Sequence, residues 1–159
     1  MAQPMPESVK VARAGHVIAT PTTIAGEKFD IKIGPDEIMV LLAFHWWWRA
    51  ELGAAGVGDV VMGLWRKSET MPPGNDCFEE SPDMIWAQTD TIFTTAVGQD
   101  DLSNAAYITL PWPLTLIRPP QFVMRTTRLL NIRAEMRLYY LLREISNVDL
   151  AKLMVKDHA

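Results

Sequence analysis

Glu37-Ile38-Met39-Val40-Leu41-Leu42-Ala43-Phe44-His45-Trp46-Trp47-Trp48-Arg49 is the stretch of sequence that decides the fold of this chain. Side chains of a β-strand alternate between two faces. Strict alternation places the even-numbered residues from Ile38 to Trp48 on one face and the odd-numbered residues from Met39 to Trp47 on the other. Both faces are then mostly apolar, although an antiparallel sandwich usually leaves one face of each sheet in water. The stretch therefore predicts a strand whose second face is covered by a neighbouring subunit.

Length and composition indicate one globular domain without disulfides. The chain has 159 residues, 48% of them hydrophobic and 21% charged, which suits a single domain with its own core. Its net charge of −4 gives the whole protein no basic field for nucleic acid. Cys77 is the only cysteine, so a reducing compartment is predicted. The first residues lack the charged and apolar regions of a signal peptide, and no apolar run is long enough for a membrane helix.

The spacing of turn signals predicts an all-β fold. Prolines and glycines divide the chain into short segments with alternating or apolar patterns, which is typical of sandwiches and barrels. Ser146, with Asp149 three residues later, has the pattern of a helix N-cap. We predict a flexible arm over residues 1–10 and one β-sandwich domain over residues 11–159. The predicted strands are 14–20, 28–33, 38–48, 59–67, 84–95, 105–110, 114–117, 121–128 and 132–145, followed by a short helix over 148–156.

No catalytic, cofactor or metal site is recognisable. The three histidines, His16, His45 and His158, are not at the spacing of metal ligands. Cys77 has acidic neighbours, whereas a reactive thiolate needs positive ones. The acidic pairs at 79–80 and 100–101 lie in polar segments and are typical of solvated loops. The sequence therefore predicts that the protein is not an enzyme and has no cofactor. An isomerase of cupin type on a β-barrel stays an alternative, although the His-x-His pair of metal-dependent cupins is missing.

The six tryptophans and the late arginines leave more than one interpretation open. The tryptophans fit a core that continues into a subunit interface, or a sugar-stacking platform. Six arginines lie between Arg118 and Arg143 with only Glu135 as an acid. They could protect sheet edges, pair with acidic loops of another subunit, or contact nucleic acid. Of the two tryptophan interpretations, the apolar neighbours of Trp47 favour core plus interface.

The order of these parts resembles a known class of proteins. A proline-bearing N-terminal arm precedes about eight strands with long loops, and the last strand, Arg137-Leu138-Tyr139-Tyr140-Leu141-Leu142-Arg143-Glu144-Ile145-Ser146, precedes a short tail. This layout is similar to the single jelly-roll coat proteins of viruses and tailless phages. The resemblance covers most of the chain and rests on architecture. It implies an eight-stranded jelly roll, self-assembly into a shell and no catalysis. Many nucleic-acid-packaging coat proteins carry an arginine-rich arm, whereas only Lys10 and Arg13 lie near this one.

The resulting hypothesis is an all-β, antiparallel jelly-roll sandwich with a short C-terminal helix, acting as a coat or capsid subunit that forms a homo-oligomeric shell. The expected partners are other copies of the chain and other virion proteins, with nucleic acid weakly supported and no membrane span. The expected location is the virion, after synthesis in the host cytoplasm. A carbohydrate-binding β-sandwich is the alternative function. The residues predicted to form the subunit interface are Met39, Leu41, His45, Trp47, Trp112, Arg125 and Arg128.

Overall fold

A computed structural model describes residues 8–18, 24–51, 56–67, 81–94, 102–127 and 131–157. These residues form eight strands and one helix. In chain order they are β1 (Lys10–Ile18), β2 (Ala25–Lys28), β3 (Glu37–Glu51), β4 (Gly56–Trp65), β5 (Met84–Thr94), β6 (Leu102–Leu116), β7 (Gln121–Thr126), β8 (Asn131–Glu144) and α1 (Asn147–Asp157).

The strands form two antiparallel sheets that pack into a sandwich. The first sheet has the order β1-β8-β3-β6 and the second has the order β2-β7-β4-β5. The first strand pairs with the last, the second with the seventh, the third with the sixth and the fourth with the fifth. Successive pairs of this series belong alternately to the first and the second sheet. This is the connectivity of a single jelly roll. The predicted fold class, including the eight strands and the short C-terminal helix, is confirmed.

A β-bulge in β3 corrects the strict alternation assumed for the tryptophan strand. The pairing of β3 with β8 shifts by one residue between Leu41 and Ala43, so Leu42 is the extra residue that a bulge inserts. Before the bulge the odd-numbered Met39 and Leu41 point into the core and are 0% exposed. After it the even-numbered residues from Phe44 to Ala50 point inward. The prediction that Met39 and Leu41 share an outer face with Trp47 is therefore wrong.

Several strand boundaries also differ from the prediction, and β1 begins at Lys10 instead of residue 14. Residues 28–33 do not form a strand beyond Lys28, although Phe29 and Ile31 are buried in the core. They anchor the crossing from one sheet to the other, and the amide of Ile31 donates to the carbonyl of Phe29. The predicted strands 105–110 and 114–117 are one strand, β6. Its prolines are tolerated because β6 lies at a sheet edge.

The helix begins where its N-cap pattern predicts. The Ser146 hydroxyl accepts a hydrogen bond from the amide of Asp149 at 3.3 Å and donates one to the Asp149 carboxylate at 2.7 Å. The hydrogen bond from Ser146, followed by that from Lys152, lowers the pKa of Asp149 below its ordinary value. Asp149 therefore stabilises the helix start above its ordinary pKa, and this contribution is lost as the pH falls through the lowered value.

Asp90 joins the two sheets at one end of the sandwich. Its carboxylate, on β5 of the second sheet, accepts hydrogen bonds from Trp48 at 2.5 Å and Asn104 at 3.1 Å, both from the first sheet. Gln88 donates a third at 2.8 Å. Trp48 is buried, so its indole N–H depends on this carboxylate for an acceptor.

Replacing Asp90 with alanine is expected to lower the free energy of unfolding by about 1.5–3 kcal/mol, because a buried indole N–H would lose a charged acceptor. Urea denaturation monitored by tryptophan fluorescence measures the change. Asp90→Asn is the matched control, since its amide oxygen can still accept from Trp48, and it should recover more than half of the loss. Equal losses in the two variants would contradict the assigned role of the Trp48 hydrogen bond.

Candidate functional site

The outer faces of the two sheets differ in how well their own chain covers them. On the second sheet, Val61, Trp65 and Val123 are buried in a small cluster separate from the central core, with Ile24 and Met84 packed against it. That outer face is therefore covered within the subunit. On the first sheet, the exposed large apolar side chains include several on β1 and β6. The first sheet consequently offers the surface available to a partner.

We call the outward side of the first sheet the open face. Its residues follow from the strand registers and the β3 bulge. They occupy alternate positions on each of the four strands. From β1 to β6 they include Val11, Arg13, Val17, Arg133, Glu135, Arg137, Tyr139, Ala43, His45, Trp47, Arg49, Tyr107 and Thr109. On the other side of the bulge, the outward Val40 and Leu141 are buried, so the open face is the part of the sheet that follows the bulge in β3.

Edge strand β1 reverses the usual distribution of apolar residues. Ala12 and Ala14 point into the core and are buried, whereas Val11 and Val17 point outward and are 52% and 53% exposed. Larger apolar side chains are normally the ones buried. Val9, just before the strand, is also 54% exposed. The larger apolar side chains of this edge are thus left in solvent by their own chain.

Aromatic side chains cover the middle of the open face. The rings of Tyr107 on β6 and Tyr139 on β8 lie edge to face, with centroids 5.6 Å apart. They flank Ala43 on the intervening strand, which is almost fully buried. Tyr107 itself is 59% exposed. The pair therefore shields the backbone of β3 and presents one ring to solvent.

Positive charges stand next to one another at two places on the open face. Arg13 pairs in register with Arg137, and Arg49 pairs with Arg133. Like charges in directly opposite positions destabilise a sheet. Glu135 is the only acid among the described side chains of the face. Four arginines are therefore concentrated on one face of the sheet.

Two of these arginines contact a carboxylate and an indole on the same face. Arg137 Nε lies 2.9 Å from Glu135 Oε1 in a half-buried ion pair. The guanidinium of Arg133 lies over the ring of Trp47, 5.9 Å from its centroid, which is within the range of a cation–π contact. Both contacts hold cationic groups in place on the face. The ion pair neutralises one positive charge, and the cation–π contact neutralises none.

Trp112 lies on an outward excursion of β6. The pairing of β6 with β3 runs from Thr109–Ala43 to Leu114–Leu41, so residues 110–113 have no partner in the ladder. Trp112 lies in this excursion between two prolines and is 83% exposed. A large indole held on an edge strand and almost fully exposed is a strong candidate contact for a partner.

The seven residues predicted as an interface do not form one surface. His45 and Trp47 are half-buried on the open face, and Trp112 is exposed at the edge of the same sheet. Met39 and Leu41 belong to the core. Arg125 is half-buried on β7 of the other sheet, and Arg128 lies outside the described residues. Sequence reasoning missed Val11, Val17 and Tyr107, because alternation alone did not reveal which side of β1 or β6 faces outward.

The remaining polar candidates are separated from this face. His16 Nδ1 lies 2.7 Å from Glu27 Oε1 and links β1 to β2. Within the described parts of the chain, no three histidine, cysteine, aspartate or glutamate side chains come together to hold a metal ion. Cys77, His158 and the acidic pairs at 79–80 and 100–101 lie outside the described residues.

Comparisons with known proteins add no assignment to this geometry. No family model matches the chain, and no curated protein is significantly similar to it in sequence. Among the described helical residues, none form a helix of the length and hydropathy needed to cross a bilayer. The class defined so far is therefore that of the fold, a single jelly-roll sandwich with one open face.

Proposed function

We propose that this chain is a structural subunit that assembles with copies of itself into a shell, as the single jelly-roll coat proteins of viruses and phages do. The observation that carries the proposal is the inverted edge strand β1, which exposes valines and buries alanines. Jelly rolls also occur in lectins and cupins, so the fold alone cannot decide between functions. The proposal depends on apolar surface that the subunit itself leaves uncovered.

The two edges of the first sheet supply the proposed contacts. Val11 and Val17 lie on β1, with Val9 just before it, and Trp112 lies on the opposite edge strand, β6. Contacts at two opposite edges allow one subunit to touch a neighbour on each side, which is the arrangement needed for rings and shells. Completing the burial of each valine would contribute roughly 1 kcal/mol. Tryptophan is the residue type most enriched among residues that dominate binding energy.

The oligomeric state of purified protein tests this proposal. Wild-type protein at micromolar concentration is expected to sediment as an oligomer or particle in analytical ultracentrifugation. The double variant Val11→Ser/Trp112→Ser is expected to weaken association by roughly thirtyfold or more. Its melting temperature should stay close to that of the dissociated wild-type subunit, because both side chains are exposed.

A matched control uses an exposed valine outside the proposed contacts. Val155 on α1 is 74% exposed, and Val155→Ser should leave the sedimentation profile unchanged. Wild-type protein that stays monomeric across the micromolar range would overturn the assembly proposal. Equal dissociation by Val155→Ser would place the contacts elsewhere than at the edges of the first sheet.

Carbohydrate binding is the second candidate function, and the exposed ring of Trp112 favours it. A sugar-stacking ring works together with neighbouring hydrogen-bonding groups that fix the hydroxyls of the ligand. Trp112 is flanked instead by Pro111 and Pro113, so assembly is the better-supported function. A tryptophan-fluorescence titration with oligosaccharides separates the two, since saturable quenching that is lost in Trp112→Ser would favour a glycan-binding module.

A further inference from the structure

We propose that the cationic and aromatic middle of the open face binds single-stranded nucleic acid. This inference concerns the centre of the face rather than the edges assigned to assembly, and it does not require the chain to assemble. Its starting point is that a protein with a net charge of −4 places Arg13, Arg49, Arg133 and Arg137 together on one side of one sheet.

The registers of the strands place these arginines as neighbours rather than dispersing them. Arg13 and Arg137 are directly paired between β1 and β8, and Arg49 and Arg133 are directly paired between β3 and β8. Neighbouring strands lie about 4.8 Å apart, so each pair brings two guanidinium groups within reach of one anionic group. Guanidinium groups bind phosphate through charge-assisted, often bidentate hydrogen bonds. A phosphate between Arg13 and Arg137 would offset the repulsion between them.

The aromatic residues distinguish the proposed ligand from a free anion. Tyr107 exposes its ring beside His45, with which it pairs in register. Trp47 lies two residues further along the same strand, beneath the guanidinium of Arg133. Surfaces that bind single-stranded nucleic acid combine positive groups along the backbone with aromatic rings on which bases stack. A base on Tyr107 with phosphates on the neighbouring arginines would use both kinds of group.

The flatness of the site favours a single strand over a duplex. The groups lie on strands at the outer surface of a sheet and not on a helix that could enter a major groove. An exposed ring in such a surface can stack only on a base that is not already stacked within a duplex. An acidic segment of another subunit would satisfy the arginines, but it would not use the exposed ring of Tyr107.

Fluorescence anisotropy with a labelled twenty-nucleotide oligothymidylate at pH 7 and low salt tests the inference. The protein is used both as wild type and as the assembly variant Val11→Ser/Trp112→Ser, so that failure of assembly and failure of binding are distinguishable. Binding by both forms is expected, and the affinity should fall as salt is raised. Absence of binding by both forms at low salt would overturn the inference, whatever their oligomeric state.

Charge variants with a matched control locate the site. Arg13→Gln/Arg133→Gln is expected to weaken binding at least about tenfold and to reduce the slope of log affinity against log salt by about 1.4, for two lost phosphate contacts. Lys67→Gln/Lys152→Gln removes the same charge from exposed positions outside the open face and should change affinity less than about twofold. Equal effects of the two double variants would mean non-specific attraction and would overturn the assigned site.

Tyr107 variants test the stacking contact separately from charge. Tyr107→Ala is expected to weaken binding roughly tenfold, whereas Tyr107→Phe should retain the wild-type affinity, because the ring and not the hydroxyl would contact the base. Arginine variants that dissociate the wild-type oligomer while no oligonucleotide binds would identify the occupant as an acidic surface of another copy. That result would overturn the inference and leave the assembly proposal in place.

Discussion

The variant Leu41→Asp is expected to be unfolded or nearly so at room temperature, whereas His45→Asp is expected to fold with almost unchanged stability. Strict alternation would place both odd-numbered residues on the same face of β3. The bulge at Leu42 instead places Leu41 in the core at 0% exposure and leaves His45 half-buried on the open face. The two substitutions therefore introduce the same carboxylate into opposite environments.

The difference in free energy of unfolding follows from the two surroundings. A carboxylate at position 41 would be buried among apolar side chains of the core, which costs several kcal/mol whether it stays charged or takes up a proton. This is comparable to the whole stability of an ordinary domain. A carboxylate at position 45 would lie opposite Arg137 in register and would reduce the excess positive charge. We expect His45→Asp to change stability by about 1 kcal/mol or less.

Urea denaturation followed by far-ultraviolet circular dichroism measures both variants. Leu41→Met controls for the loss of leucine itself and should reduce stability by less than about 1.5 kcal/mol, since it keeps the core apolar at similar volume. Comparable destabilisation by Leu41→Asp and His45→Asp would contradict the bulge, because it would mean that positions 41 and 45 share one environment.

The fold was predictable from sequence where the signals are local. Gly34-Pro35-Asp36 marks the turn before β3, and the described strand begins at Glu37. Ser146 and Asp149 mark the helix start, and α1 begins at Asn147. These signals depend on backbone conformations and short hydrogen bonds that a few neighbouring residues determine.

The inward and outward directions of the strands were less predictable. A bulge leaves no trace in a run that is apolar on both sides, so the position of Leu42 could not be read from the sequence around it. On β1, size would have placed Val11 inside and Ala12 outside, and the structure has the reverse. Such choices depend on long-range pairing between β1 and β8. The candidate site was therefore found only in part.

Trp46→Ala is expected to lower the free energy of unfolding by about 3–5 kcal/mol, whereas Trp47→Ala should lower it by about 1 kcal/mol. These adjacent tryptophans belong to the same apolar run, and only their direction differs. Trp46 is buried in the core and its ring lies 5.7 Å from that of Trp86 on the opposite sheet. Removing it would leave a cavity between the sheets, which the surrounding strands can fill only in part.

Trp47 lies on the open face, where its ring contacts the guanidinium of Arg133. Truncating it would expose little core and would lose a cation–π contact of about 0.5–1 kcal/mol. Denaturation curves of the two alanine variants, measured at a concentration where both are dissociated, separate the two roles. Similar losses of stability would contradict the assignment of Trp46 and Trp47 to opposite faces.

A phenylalanine variant separates packing from hydrogen bonding at the buried position. Among the described residues, the indole nitrogen of Trp46 is buried without an acceptor, and an unpaired buried donor carries a desolvation cost of about 1–3 kcal/mol. Trp46→Phe removes that donor and keeps an aromatic ring beside Trp86. Its stability should therefore lie much closer to wild type than that of Trp46→Ala. A loss as large as that of the alanine variant would show that the indole nitrogen has an acceptor, and that Trp46 is held by more than packing.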